Sequence, residues 1–421
     1  MAQKLQTARG IRDLVDAELE TYNRIIEIGS RIASLHNYAE ILLPIFEYSS
    51  VFLRTLGDAS DIVTKETYTF SDRDKRSLTL RPEFTAAMVR SLISNGLTQS
   101  MPQRFFTHGP LFRHERPQQG RYRQFHQFNC ELFGSNSPLA DVEIINLLYL
   151  ILSECELQNN VQIEINSLGD KESSDKYKKV LYNYLLDNIN ELSEISKERI
   201  EINPLRVLDS KDNNDIEIIS RAPSIEQFLS QEALEHFASV CRNLTLLGIK
   251  YSINNRLVRG LEYYTHTVFE FTTDRLGAQK AIAAGGRYNG LIESMGGPAT
   301  PAVGFAVGID RIHELLQVHK LNKKRPNNIC YLIPIGDAAE AHGVNLALEL
   351  RQKGIKVAFD YGLSTKKRMK IADRDGYPIC LIFGDDELES NEFILRNMGI
   401  SEEKRVHIEE LDEFLIPLLS L

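Results

Sequence analysis

The sequence predicts an α+β protein built as an antiparallel, strand-rich body with a helical insertion, followed by a small α/β domain. Three observations carry this. Two long strand patterns, QRFFTHGPLFRHE (103–115) and RYRQFHQFNCELFG (121–134), flank PQQG, a Pro- and Gly-containing turn such as an antiparallel hairpin requires. From about 170 to 250 the chain becomes Lys/Glu/Asn-rich and helical, without catalytic clusters, as an inserted domain would. After the polar, Pro-containing NKKRPNN (322–328), strand and helix patterns alternate. The predicted domains are therefore 1–325, containing the insertion at 170–250, and 326–421.

In chain order, residues 17–35 read as an amphipathic helix, with Ile25, Ile28, Ile32 and Leu35 near helical spacing. YAEILLPIFE (38–47) then turns strand-like. Its Pro44 cannot pair normally, so this strand belongs at an edge, where it can meet a partner chain. ETYTFSD (66–72), RSLTLRPE (76–83) and the helix-like FTAAMVRSLI (84–93) precede the hairpin, and strand patterns resume at 257. The last domain runs ICYLIPI, AHGVNLALELRQKG, KVAFDY, STKKRMKIADRDG and PICLIFG as strand, helix, strand, helix and strand.

Composition narrows the function. With 43% hydrophobic and 25% charged residues the chain is globular and can bury a full core. Its five cysteines form no C-x-x-C pair and have no histidine partners at zinc-finger spacing, which argues against a structural metal or a disulfide framework. MAQKLQTARG lacks the apolar core of a secretory signal. The most apolar run, IINLLYLIL (144–152), is less than half of the roughly 20 residues a membrane span needs. A cytoplasmic protein without membrane contact is expected. A net charge of −9 argues against general coating of nucleic acid, so any contact with a polyanion must be local. Arg113, Arg116, Arg121 and Arg123 in one stretch, and STKKRMK (364–370) in the other, are the two basic clusters.

As a strand, 121–133 puts Arg123, Gln127 and Glu131 on one face and His126, Cys130 and Leu132 on the other, while Arg113 shares a face with Leu111 and Gly109. Arginines beside an amide and a carboxylate suit a phosphorylated ligand joined to a small polar one. Taken alone, the hairpin reads equally well as a solvent-exposed pair with surface arginines. LVRGLEYYTHTVFEF (257–271) is strand-like after Gly260, a residue that permits close approach or positive φ; in isolation its tyrosines read better as core and Arg259 as surface charge. AAGGRYNGL (283–291) reads as a loop with Gly-Gly before Arg287 and Tyr288. PAVGFAVGIDRI (301–312) reads as a small-residue strand, a glycine turn and a helix beginning near Asp310 and Arg311, where an arginine can meet an anion or pair with an acid. No Walker loop, Rossmann glycine pattern, H-E-x-x-H or G-x-S-x-G elbow occurs, which removes the common nucleotide-fold, metalloprotease and hydrolase readings.

In this order and at these separations, YAEILLPIFE, FRHE through RQFHQ and VGFAVGIDRI resemble motifs 1, 2 and 3 of class II aminoacyl-tRNA synthetases. LVRGLEYY and AAGGRY narrow the resemblance to the histidyl-tRNA synthetase family, over essentially the whole chain. The resemblance implies a six- or seven-stranded antiparallel catalytic sheet, an insertion that touches the acceptor stem, a C-terminal anticodon-binding domain and a homodimer built around motif 1. It implies L-histidine, tRNA(His) and ATP as substrates, with Mg2+ carried on ATP. By the same resemblance Arg113 and Arg311 hold the phosphates, with Arg121, Arg123 and Glu115 near the nucleotide. Glu83, Thr85 and Gln127 fix the amino group of histidine. Glu131, Tyr263, Tyr264 and Tyr288 hold its imidazole, and Arg259 sits over the reacting carboxylate and α-phosphate. Arg116, Gln118 and Gln119 meet the acceptor stem, and Lys366, Lys367, Arg368 and Lys370 meet tRNA from the C-terminal domain. Three positions depart from the family pattern: Phe84 where glycine is common, and Glu262 and Asp310 in place of the other acid. The rival reading is a non-catalytic paralogue that senses histidine as a regulatory subunit of ATP phosphoribosyltransferase. Such paralogues typically lose motif arginines and the C-terminal domain, and this chain keeps both.

Overall fold

A computed structural model describes residues 5–56, 66–116, 120–261, 263–277, 280–319 and 328–419. Helix Asp16–Leu35 opens the fold, with Asp16 and Glu18 at its positive end. Ile25, Gly29, Ile32 and Ala33 form its buried stripe. A Cβ on Gly29 would stand 2.9 Å from the Phe128 ring, so this glycine lets the helix lie close against the sheet. Leu35, expected on the same stripe, is 74% exposed as the last residue of the helix.

That sheet has eight strands in the order Ala39–Glu40, Gln103–Phe112, Gln124–Phe133, Ala302–Gly308, Ala281–Arg287, Thr265–Thr272, Gln162–Ser167 and Ser252–Ile253. The six inner strands pair antiparallel, whereas the two-residue outermost strands pair parallel to their neighbours. Pro44 divides the 38–47 segment as its chemistry requires. Ala39–Glu40 edges the large sheet, and Phe46–Tyr48 joins a separate sheet with Ser77–Leu80 and Thr69–Ser71. Two expected boundaries move. The described residues of 257–264 are loop, with the strand starting at Thr265, and AAGGR is not a loop but the inner strand Ala281–Arg287.

Alternation sorts the sheet into two faces. Phe128, Cys130, Leu132, Val303, Phe305, Val307, Phe269 and Phe271 face the main core. Helix Pro138–Glu154 covers it, started by Pro138 at its first position and by the Ser137 side chain accepting from Leu139 N–H. This helix holds the apolar run noted in the sequence. Ile144, Ile145, Leu147, Leu148, Ile151 and Leu152 are each at most 1% exposed, worth about 1.5–3 kcal/mol per side chain. Its exposed or half-buried positions centre on the face of Leu139, Glu143, Asn146 and Leu150, so most of the helix surface is apolar.

A charged clamp fixes this helix to the sheet. Arg287 and Asp141, both 0% exposed, meet through Arg287 Nε at 3.1 and 3.2 Å from the two carboxylate oxygens. Arg287 also donates to the carbonyls of Ser135 and Ser137. Burial alone would raise the Asp141 pKa, but His236 and Arg287 hold it below the ordinary carboxylate range.

Within 170–250, helices Lys171–Asp187, Glu194–Ile202 and Asn213–Ser220 build their own cluster around Tyr177, Leu181, Ile200 and Ile218. Helix Gln231–Leu246 departs from the expectation, since its Val240 and Leu244 join the core of the large sheet. The chain divides into two compact units, 1–322 and 323–421. In the second, Val357–Ala358, Cys330–Pro334, Ile379–Phe383, Glu392–Asn397 and Glu402–His407 form a sheet in that order, flanked by helices Asp337–Gln352, Thr365–Asp375 and Leu411–Leu419. Its last two strands and last helix follow the point where the strand and helix reading of the sequence stopped. No helix of the described residues is long and apolar enough to cross a membrane.

Candidate active site

A cleft of about 1060 Å³, counting the open solvent in its mouth, lies over the other face of the sheet. Gln127, Asn129 and Glu131 project there from one strand, opposite Gly308, Ala306 and Gly304 of the next. Beyond these, Ala284 and Gly286 stand opposite Ala306 and Gly304. Two adjacent strands thus offer little more than backbone and methyl groups, and this makes the space. A Cβ on Gly304 would overlap the Glu131 carboxylate.

One wall is acidic and hydroxylic. Glu131, 1% exposed, accepts from the Thr85 hydroxyl at 2.7 Å and the Tyr288 hydroxyl at 2.5 Å. Burial pushes its pKa up to about 8 against those donors, with Glu83 adding repulsion. Glu83 accepts the backbone N–H groups of Thr85 and Ala86 at 2.6 and 2.8 Å, at the start of helix Thr85–Ser94. Burial raises its pKa as well, although those bonds oppose the rise. Tyr263, Tyr264 and Tyr288 pack with ring centroids 4.7–6.4 Å apart, and all three line the cleft.

The cleft is also lined by cations. Arg113 donates to Pro82 O at 2.9 Å and lies 5.1 Å over the Phe125 ring; burial lowers its pKa. Arg311 donates to Ala281 O, and burial together with the nearby Arg113 and Arg121 depresses its pKa. Arg259 pairs with Glu270 and sits 5.9 Å from the Tyr264 ring centre. Burial pulls its pKa down, yet Glu270 and the tyrosines leave it raised. Arg121 pairs with Glu115, and Glu66 is 3.7 Å away. Crowded guanidinium groups of this kind make a positive field suited to phosphate oxygens.

Of the expected residues, Glu83, Thr85, Gln127, Glu131, Arg259, Tyr263, Tyr264, Tyr288, Arg113, Glu115, Arg121 and Arg311 all line this one cleft. Arg123 does not. It precedes the strand, donates to Glu115 O at 3.3 Å, and borders a separate hollow with Arg9, His114, Glu115 and Arg116. Arg368 is a second correction, because it is 2% exposed and spent on its own unit. It donates to Pro334 O and Asp360 O and pairs with Glu340 at 2.9 Å. Lys366, Lys367 and Lys370 on the same helix are exposed. Gln118, Gln119 and Glu262 lie outside the described residues. Gly260 has neither positive φ nor a neighbour that a Cβ would meet, so it does not need to be glycine for the reasons expected.

Phe84 fills the core beneath Arg81, whose guanidinium lies 4.6 Å over its ring, and it does not line the cleft. Asp310 keeps its charge at work, binding His126 N–H at 2.6 Å and Arg12 at 2.7 Å. Two residues of the site were missed. Glu270 stands opposite Ala284 on the cleft face, and a lone acid inside the apolar run TVFEF was the available signal. Asn129 has the parity of Gln127 and Glu131, so the alternation already pointed to it.

Residues 10–312 match the family model described as Histidyl-tRNA synthetase, and 329–417 match that described as Anticodon binding domain. The chain is 50% identical over 401 residues to the histidine–tRNA ligase of Wolbachia pipientis subsp. Culex pipiens (strain wPip), covering 95% of this chain and 97% of that one. It is 46% identical over 413 residues to the histidine–tRNA ligase of Ehrlichia ruminantium (strain Gardel), covering 98% of each. The crystal structure of apo S. aureus histidyl-tRNA synthetase superposes with a TM-score of 0.83 at 32% identity, over 98% of this chain and 100% of that one. A family model matched over residues 10–312 and relatives alike over nearly their whole length establish that the chain belongs to the histidyl-tRNA synthetase family.

Proposed function

We infer that this chain ligates L-histidine to tRNA(His) through a histidyl-adenylate. The observation that carries this reading is the single cleft in which a buried acid and hydroxyl wall shares its space with Arg113, Arg259 and Arg311. In the first step the histidine carboxylate attacks the α-phosphorus of ATP in line, the bond to the β-phosphate oxygen breaks, and pyrophosphate leaves. In the second a ribose hydroxyl of the terminal adenosine attacks the adenylate carbonyl and AMP leaves. Magnesium enters with ATP as part of that substrate.

The chemistry asks for positioning and charge neutralisation. Arg259 bridges the carboxylate and the α-phosphate, held in place by Glu270. Arg113 and Arg311 take the phosphates, and Arg121 and Glu115 border the nucleotide. Glu83, Thr85 and Gln127 bind the α-ammonium group. Glu131 and Tyr264, with Tyr263 and Tyr288 behind them, hold the imidazole. Buried groups that would be left unpaired by another side chain reject it, by roughly ten-thousandfold in favourable cases, which makes an editing step unnecessary.

tRNA is met in three places. Arg116 borders a basic hollow beside the cleft together with Arg9 and Arg123, which suits the acceptor end. The helical segment within 170–250 is assigned to the acceptor stem, and the second unit, through Lys366, Lys367 and Lys370, to the anticodon. The chain acts as a cytoplasmic homodimer built around 38–47, where Leu42 is 88% exposed and Ile45 and Phe46 also face solvent. The regulatory-subunit reading is not favoured, because the curated relatives alike at 46–50% identity over nearly full length are named as ligases.

Histidine-dependent exchange of labelled pyrophosphate into ATP, without tRNA and against the other amino acids, tests the proposal. Exchange with histidine alone supports it. A folded protein that binds histidine and gives no exchange is instead a sensor.

A further inference from the structure

Asn129 stands between Gln127 and Glu131 on the cleft face of strand Gln124–Phe133, opposite Thr107 and Ala306. Its side chain lines the cleft and is 2% exposed. The amide lies on the same strand face as the Glu131 carboxyl and counters the rise of its pKa. Among the described residues Oδ1 is buried and has no hydrogen-bond partner. Buried amide oxygens nearly always have one. An open acceptor in the wall of a ligand cleft therefore calls for a donor that arrives with the ligand.

Several donors enter this cleft in the proposed reaction: the α-ammonium group, the adenine amino group, the ribose hydroxyls and the ring N–H of histidine. Asn129 lines the cleft two residues from the carboxyl assigned to the ring, on the same strand face, which makes the ring the donor within reach. We propose that Asn129 is a specificity residue for the histidine side chain, its Oδ1 accepting a ring N–H while its amide nitrogen orients Glu131. The inference rests on the reading of the cleft as a histidine site. It adds an acceptor two residues from Glu131 on the same strand face, so that one ring nitrogen meets the Asn129 oxygen and the other the Glu131 carboxyl, both on one rigid element.

The test uses pyrophosphate exchange by the full chain, with histidine and with its two ring N-methyl isomers, each of which blocks one nitrogen. Asn129→Ala should raise the KM for histidine about tenfold while the KM for ATP stays within about twofold. It should also narrow discrimination against one methyl isomer about tenfold and leave discrimination against the other unchanged. Asn129→Leu, which keeps the branched shape at a larger size and removes both polar atoms, should reproduce the rise in KM and guards against collapse of the smaller variant. An unchanged histidine KM, or an equal rise in the KM for ATP, overturns the inference. So does an equal effect on both isomers, which would reduce Asn129 to a support for Glu131. Absence of histidine-dependent exchange in the unsubstituted protein would instead sink the functional reading beneath it.

Discussion

Substituting Gln for Glu131 is expected to stabilise the first unit at alkaline pH while weakening its grip on histidine. The Glu131 carboxyl is 1% exposed and is served by hydroxyl donors, with no cation among its hydrogen-bond partners. Burial moves its pKa from the ordinary 4.5 up to about 8. Below the unfolded value the group is neutral in both states and costs nothing. As pH rises from there, the unfolded chain gives up the proton and the folded chain retains it. The folded state therefore loses ground until the pH passes the folded value, and the loss is constant beyond. Over the whole interval the loss is on the order of 5 kcal/mol at most.

Glutamine escapes that loss at every pH. It offers one amide oxygen to two hydroxyl donors, however, so it forfeits a hydrogen bond, about 1–2 kcal/mol independent of pH. The useful quantity is the difference between two conditions, in which the constant part cancels. Between about pH 6.5 and about pH 9, both above the isoelectric point, the variant should gain on the original by on the order of 2 kcal/mol. Differential scanning calorimetry at equal ionic strength would register this as a relative Tm shift of a few degrees, at about 2 °C or less per kcal/mol for a unit of this size. Histidine KM, measured alongside, should rise far more than the KM for ATP. A Tm difference that is the same at both pH values would refute the reasoning, because the carboxyl would then be ionised in the folded protein throughout.

Three further expectations are independent of that one, and a fourth concerns the buried clamp. Arg259→Ala should retain histidine and ATP binding and lose on the order of a hundred- to a thousandfold in single-turnover adenylate formation; unchanged activation would remove it from the chemistry. Reversing Lys366, Lys367 and Lys370 to Glu should weaken tRNA binding, most at low salt, and spare amino-acid activation. Arg368→Met should lower the melting temperature of the second unit by removing the donor to Pro334 O and Asp360 O and the cation beside Glu340, which keeps only the Gly362 N–H, and a variant that melts normally yet binds tRNA poorly would restore Arg368 to the RNA surface. Asp141→Asn breaks a fully buried ion pair and should destabilise the first unit by about 3–5 kcal/mol, read in a denaturant titration; a cost near zero would mean that the Arg287 charge is neutralised elsewhere.

The sequence was most legible where one face of an element is buried. The hairpin, the strand Ala302–Gly308 and its following helix, and the helix from residue 16 to 35 all follow from alternation or helical spacing. It was least legible where tertiary context decides. AAGGR has no strand propensity to speak of, yet Gly285 belongs in an inner strand because the Phe269 ring and the Gly304 backbone occupy the space a side chain would need. Arg368 shares a basic run with three lysines, and nothing in the run says that its helix turns that one residue inward. Helix Gln231–Leu246 looks compositionally like the helices before it, and only the packing of Val240 and Leu244 assigns it to the sheet. Arg287 was visible merely as the residue after Gly-Gly, since its partner Asp141 lies on a helix distant in sequence.

Register explains why motifs that are weak singly become informative together. The strand Ala302–Gly308 alternates small and large residues: Gly304, Ala306 and Gly308 toward the cleft, Val303, Phe305 and Val307 into the core. Its pairing with Gln124–Phe133 sets Gly304 against Glu131, and its pairing with Ala281–Arg287 sets Gly304 against Gly286. A slip of one residue in the first pairing would bring Val303 or Phe305 to Glu131 and close the cleft, as well as turning three core side chains to solvent. The core therefore enforces the spacing that the site requires. Glycine at 304 and glutamate at 131 are one choice written in two places, and neither motif conveys it without the other.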